Sequence, residues 1–320
     1  MKIIFILIII SAINLTLFAQ SDQEANQQFI ERYKENSELS YTSPFSEIGA
    51  PSKYLLSGKL TTTYMILGAR TLPVAFALIP DFTVRVRNEN SAGVRTPSFK
   101  LGGTAFIRLN SDEQNYKYAE LTFTHHSNGQ DASAINPDGT INTYNGNFST
   151  NYLTSSYRFG KFEDHQNGES YNSYNHKLGL EWHKWFSYEK ALEGEYGFTR
   201  LLYDFSFRKY AFYNNEKSDR WEKTSSGSSA RKSLEKEFLR LNAQFSYAVN
   251  KINNSTITDI QKRLNVELTA NYSLPFMHNV FLMATAGYYG EDPYNIYFGD
   301  HYPFVRFGIS TGFIKYKITN

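Results

Sequence analysis

From Tyr54 onward, apolar and polar residues alternate in segments bounded by turn residues, and this two-residue period predicts β-strands. The clearest segment spans 263–274. Leu264, Val266, Leu268, Ala270, Tyr272 and Leu274 alternate there with Arg263, Asn265, Glu267, Thr269, Asn271 and Ser273. The same pattern marks 239–249 and 305–313, and weaker versions lie near 55–67, 74–87, 98–109, 147–159, 172–186, 197–212 and 279–290. With the stretch Lys117–Gly129 this makes about eleven strands, twelve if one boundary is misplaced. Many segments approach the length of about 9–11 residues at which a tilted strand crosses a bilayer. The prediction is an all-β fold, a transmembrane antiparallel β-barrel of about 12 strands. A soluble sandwich or lipocalin-like barrel would also alternate, but it explains strand length less well.

Composition sharpens this reading. The chain has 24 Tyr and 25 Phe but a mean hydropathy of -0.47. Aromatic girdles around a polar lumen reconcile the two. Lys+Arg number 33 against 31 Asp+Glu, so the basic footprint of a nucleic-acid binder is missing. There is no cysteine, hence no disulfide. Residues 1–19 have a signal-peptide pattern: Lys2, the apolar run Ile3–Ile10, and Leu17-Phe18-Ala19 before the cut. After it no apolar run of about 18 residues exists, so no helix spans a bilayer. Residues 20–53 read as a periplasmic or lumenal lead-in, with one amphipathic stretch (Phe29 and Tyr33) behind a Ser21/Asp22 cap, and 54–320 as the barrel.

Candidate chemistry lies in Lys117–Gly129. Lys117, Ala119, Leu121, Phe123, His125 and Ser127 share one strand face, and Tyr118, Glu120, Thr122, Thr124, His126 and Asn128 the other. The mainly apolar face is predicted to meet lipid, and it ends in a histidine and a serine two residues apart. A serine becomes a nucleophile when a base takes its proton, and the base works best with its ring held by a third group. On the next strand Asn151 has the matching parity, as does Asn147. An amide suits this place because an ionised carboxylate at the hydrocarbon edge is costly. Gly129 allows a close turn that could aim its N–H at an oxyanion. His126 should face the lumen, and adjacent strand residues cannot converge on one metal ion. Trp182 and Trp185 read as interface belt.

The run Thr124-His125-His126-Ser127-Asn128-Gly129 resembles the active-site motif of the outer-membrane phospholipase A family, and Pro97–Gly102 resembles the start of that family's preceding strand. The resemblance implies a twelve-stranded barrel in the bacterial outer membrane that hydrolyses acyl esters of phospholipids. It gives Ser127 the role of nucleophile, His125 that of base, an asparagine that of orienting group, and Gly129 a part in the oxyanion site. It also implies calcium as cofactor and a homodimer when active, with Gln130 contributing its carbonyl to calcium; the motif does not place the remaining ligands, for which Ser91, Ser133 and Asp164 are candidates. The family's Ser-x-Ser-Trp-Asn run is absent, and Ser149-Thr150-Asn151 echoes only its end. The lipid A 3-O-deacylases share His-x-Ser-Asn but add a glutamate about a dozen residues on, where this chain has only Asp138. Two non-enzymatic readings stand beside these: a passive porin, and an adhesin acting through loops such as Tyr213–Lys232.

Overall fold

The computed structural model describes residues 23–319 except 70, 91–92, 95, 113, 165–169, 215–232, 278–279 and 313–315. The predicted signal segment, Ser91 and most of the Tyr213–Lys232 loop therefore lie outside the described residues.

Each alternating segment forms a strand. In chain order these are β2 (Tyr54–Thr61) with β3 (Tyr64–Gly68), β4 (Val74–Arg87), β5 (Ser98–Arg108), β6 (Asn115–Ser127), β7 (Ser149–Asp164), β8 (Ser170–Trp182), β9 (Thr199–Asn214), β10 (Ser233–Ala248), β11 (Leu264–Tyr272), β12 (Val280–Tyr289) and β13 (Tyr302–Thr311). The twelfth member of the ring is β1 (Ser40–Pro44), antiparallel to both β13 and β2. Pairing of β10 with β11 closes the barrel. β3 prolongs β2 along β4, and the extra strand β14 (Tyr316–Thr319) pairs with the start of β10.

The barrel thus begins at Ser40, inside the stretch expected to be a lead-in. A five-residue strand reading SYTSP has no apolar alternation by which to announce itself. Helix α1 (Gln23–Glu35) precedes it and lies within the barrel wall. Phe29 and Tyr33, one helical turn apart, share a face. The Tyr33 ring stacks on Phe106 at 3.9 Å, and Phe29 meets Phe106 and Tyr118 edge-on. Arg108 donates to Asn26 and Arg208 to Asn36, which fixes both ends of the helix against inward-facing strand residues.

Burial follows the strand period. Along β6 the inward set Tyr118, Glu120, Thr124 and His126 is buried while Leu121, Phe123 and His125 are exposed. Charges removed from water must be paired, and the inner wall pairs them. Glu120 binds Arg158, Arg85 lies between Glu47 and Asp292, and Arg306 between Glu47 and Glu267. Glu47, Arg85, Glu120, Arg158, Glu267 and Arg306 line a polar cavity of about 480 Å³. The outer wall carries large apolar residues open to the surroundings, among them Leu121, Phe123, Leu178, Leu180, Leu201, Leu241, Leu268, Leu282, Phe307 and Ile309. No described helix is long and apolar enough to cross a membrane.

At one rim, loops 128–148, 183–198 and 290–301 fold together over the mouth. Their core comprises Ala134, Phe148, Leu192, Tyr196, Phe198, Tyr294, Ile296, Tyr297 and Phe298. The other rim is spanned mostly by short connections, and α1 occupies the lumen on that side.

Candidate active site

The loop-bearing rim is where β6 ends and β7 begins. Register pairs Ser127 with Ser149 and His125 with Asn151 across the two strands. Cross-strand partners share a face, so one ladder step brings imidazole and amide together on the outside of the barrel. His125 Nδ1 lies 2.9 Å from Asn151 Oδ1.

The orientation of that amide is fixed by what it does on its other side. Asn151 Nδ2 donates to the Ser187 carbonyl at 2.7 Å, and the Asn151 backbone N–H donates to the same oxygen at 3.2 Å. A carbonyl only accepts, so the amide nitrogen must face Ser187 and its oxygen must face His125. In neutral His125 the proton then sits on Nδ1 and the lone pair on Nε2. That is the tautomer a base needs if it is to accept from the hydroxyl two residues away. Among the described residues Ser127 Oγ makes no hydrogen bond to His125. Nucleophile and base often close to bonding distance only around substrate.

Asn147 is placed differently. It precedes β7, and its backbone N–H is bound to the Ala132 carbonyl in the loop. The structure therefore separates the two asparagines that parity alone left equal, and brings Asn151 to His125. Gly129 sits in the left-handed region at φ 65°, with the Phe99 ring where a Cβ would point. Its N–H has no protein acceptor among the described residues. Asn128 between them is buried. Its side chain donates to the Gly146 carbonyl and accepts from the Phe148 N–H, tying together the two ends of the loop that follows Ser127.

The inner wall pins these strand ends from behind. His126, between His125 and Ser127, is buried with Nε2 at 2.8 Å from Ser98 Oγ. Thr150, next to Asn151, has its hydroxyl 2.7 Å from His183 Nδ1. The other nitrogen of His183 lies 2.8 Å from Glu181, which also binds Arg200. Burial holds the His183 imidazole below its ordinary pKa, although Glu181 pulls the other way. His183 opens the segment that turns back to place Ser187 on Asn151 and Tyr188 beside Thr150. Phe186 of this segment packs edge-on against Phe123, ring centroids 5.2 Å apart. Sequence reasoning missed this segment. Ser187 acts through its backbone, which leaves no signature in residue type, and Trp185 reads only as interface belt, while Phe186 falls in the segment 172–186 expected to be strand, which ends at Trp182.

The expected metal ligands do not converge. Asp164 closes β7 at the opposite rim, 13 residues (164 − 151) beyond Asn151 or about 40 Å at strand rise, and its side chain lies outside the described residues. That corrects its pairing with Gln130, which follows Gly129 at the site rim. The Ser133 hydroxyl donates to the Ile135 carbonyl within its own loop. No cluster of three His, Asp or Glu side chains suited to a metal occurs among the described residues. Asp138, the acidic residue of the deacylase alternative, accepts from Thr140 N–H and hydroxyl in the tight turn 136–140.

No protein-family model matches the chain, and no curated protein does. Among solved structures, the chain is similar to the outer membrane phospholipase A from Escherichia coli. The match covers 91% of this chain and 98% of that one at 11% sequence identity, with a TM-score of 0.49.

Proposed function

We propose that this barrel is a phospholipase A of the bacterial outer membrane. It hydrolyses acyl esters of phospholipids with Ser127 as nucleophile, His125 as general base and acid, and Asn151 as orienting group. The observation that carries the reading is the 2.9 Å contact of His125 Nδ1 with an amide whose orientation Ser187 dictates, on the outer wall two residues from the nucleophile. A surface His-x-Ser without function has no need of a fixed tautomer. In the proposed reaction His125 Nε2 takes the Ser127 proton as Oγ attacks the ester carbonyl, and the Gly129 N–H receives the oxyanion. The proton then passes to the departing alcohol, and water, activated by the same nitrogen, releases the fatty acid.

The site's level on the barrel supports lipid as substrate. Below it on the same face stand Phe123, Leu121 and Ala119, so Ser127 sits where the apolar band gives way to the loop rim. A phospholipid beside the wall would have its chains against that band and its esters near the serine. The porin reading is less well supported, since α1 and the folded loops occupy the two ends of the lumen. Calcium dependence and dimerisation remain part of the proposal on resemblance alone, and no step above passes through the metal. The test is fatty-acid release from phospholipid in mixed micelles by wild type and Ser127→Ala, each with calcium or chelator. Release by wild type alone supports the reading. Equal release from both proteins would remove Ser127 from the chemistry, and release from lipid A only would favour the deacylase.

A further inference from the structure

The segment that holds Asn151 also touches the lipid-facing wall. Ser187 supplies the carbonyl to the Asn151 amide, and the preceding residue, Phe186, lays its ring against Phe123. Phe123 is the next residue below His125 on the outward face, four positions from Ser127 or about 13 Å at strand rise. Phe123 faces Leu153 across β7, and Leu153 in turn faces Trp182. On the other flank Phe123 faces Gly103, which has no side chain, and the Phe76 ring lies where a Cβ would be. A chain attached to an ester at Ser127 and running straight down the outward face of β6 passes over Phe123, between Phe76 and Phe186. A four-carbon acyl group is too short to reach that level, whereas a sixteen-carbon one extends past it.

We infer that Phe186, together with Phe123, is the residue that sets acyl-chain-length preference, a role that rests on the ester-hydrolase reading of Ser127. The occupant is the acyl chain of the substrate itself. It is covalently joined to the reacting carbonyl, so its path starts at the nucleophile, and Phe123, Leu121 and Ala119 continue the outward face of β6 below it. The alternative is that Phe186, half-buried at the rim, is a lipid anchor like any other rim aromatic. An anchor would affect all substrates alike.

The experiment uses the purified full chain in detergent micelles with p-nitrophenyl butyrate and p-nitrophenyl palmitate, and it reads the ratio of kcat/KM for the long ester to that for the short one. Losing apolar contact worth one or two methylenes changes discrimination by about tenfold or more. Phe186→Ala is therefore expected to lower the long-to-short ratio about tenfold, and Phe186→Trp to keep it. Phe123→Ala should shift it in the same direction. The double variant should fall short of the product of the two, because residues in contact are not independent. Leu241→Ala, an exposed residue on β10, serves as a wall control whose ratio stays at the wild-type value. Ser127-dependent cleavage with an unchanged ratio in Phe186→Ala and Phe123→Ala overturns the inference and leaves the hydrolase reading intact. A wild type that cleaves neither ester removes both together.

Discussion

Replacing Asn151 is the most informative perturbation, because its two ends do different work. Asn151→Ala removes the bond to His125 Nδ1 at 2.9 Å and the bond to the Ser187 carbonyl at 2.7 Å. A neutral hydrogen bond contributes about 0.5–1.5 kcal/mol net, so two together amount to about 1–3 kcal/mol. If that is expressed wholly in the transition state, the rate falls by about 5- to 150-fold. The loss should appear mainly in kcat, since neither bond is made to substrate, and residual activity should stay above that of Ser127→Ala. Asn151→Asp separates the two ends. A carboxylate can still accept from His125, but it presents an oxygen to the Ser187 carbonyl where the amide presented a donor. Asp is therefore expected to rescue poorly, even though a carboxylate could orient the imidazole, and Asn147→Ala should behave like wild type. The assay is steady-state hydrolysis of a micellar phospholipid, with retention of the folded barrel checked by heat-modifiable gel mobility. Wild-type kcat in Asn151→Ala would refute the orienting role, and full activity in Asn151→Asp would refute the argument from the amide donor.

Other outcomes follow from the same geometry. Trp185 is 77% exposed at the site rim, so brominated phospholipids should quench the tryptophan fluorescence, and Trp185→Phe should remove much of that quenching; an unaffected signal would take this rim out of the bilayer. In planar bilayers the protein should show no steady porin-like conductance, because α1 and the loop cluster fill the ends of the lumen; a large permanently open current would restore the channel reading. His183 carries a pH prediction with a definite sign. Its folded pKa lies below the ordinary 6.5 because of burial, so the unfolded segment binds the proton more readily than the folded one. The stability this gives is complete above 6.5 and is lost as pH falls through the folded value. Amide hydrogen exchange in 183–198, corrected for intrinsic rates, should be faster near pH 5 than near pH 7, and His183→Gln should flatten the difference; protection that rises on acidification would contradict it.

Much of this fold was legible because the two faces of a barrel wall meet different solvents. Where the outside is apolar and the inside polar, alternation survives over whole strands, as in β6 and β11, and it locates them to within a few residues. β1 escaped because a short strand held between two neighbours needs no apolar face to stay in place. α1 could be read as a helix from Phe29 and Tyr33, but nothing in its sequence says that the surface it covers is the inner wall at Phe106 and Tyr118. At the site, parity brought His125, Ser127 and Asn151 to one face, while register, which depends on the loop between the strands, was needed to choose Asn151 over Asn147. The Ser187 carbonyl was invisible because backbone groups are common to all residues. Asp164, named for calcium on the resemblance, stands apart from Gln130 because a strand of that length carries its far end across the barrel.

In the proposed mechanism Ser127 is a nucleophile activated by His125 on the outer wall. Its most direct test is mass spectrometry of the intact protein after treatment with a long-chain alkyl sulfonyl fluoride, which forms a stable adduct only with an activated serine. A single adduct at Ser127 is expected, abolished in Ser127→Ala and strongly slowed in His125→Ala. An unlabelled Ser127, or labelling as fast without the histidine as with it, would show that His125 does not activate Ser127.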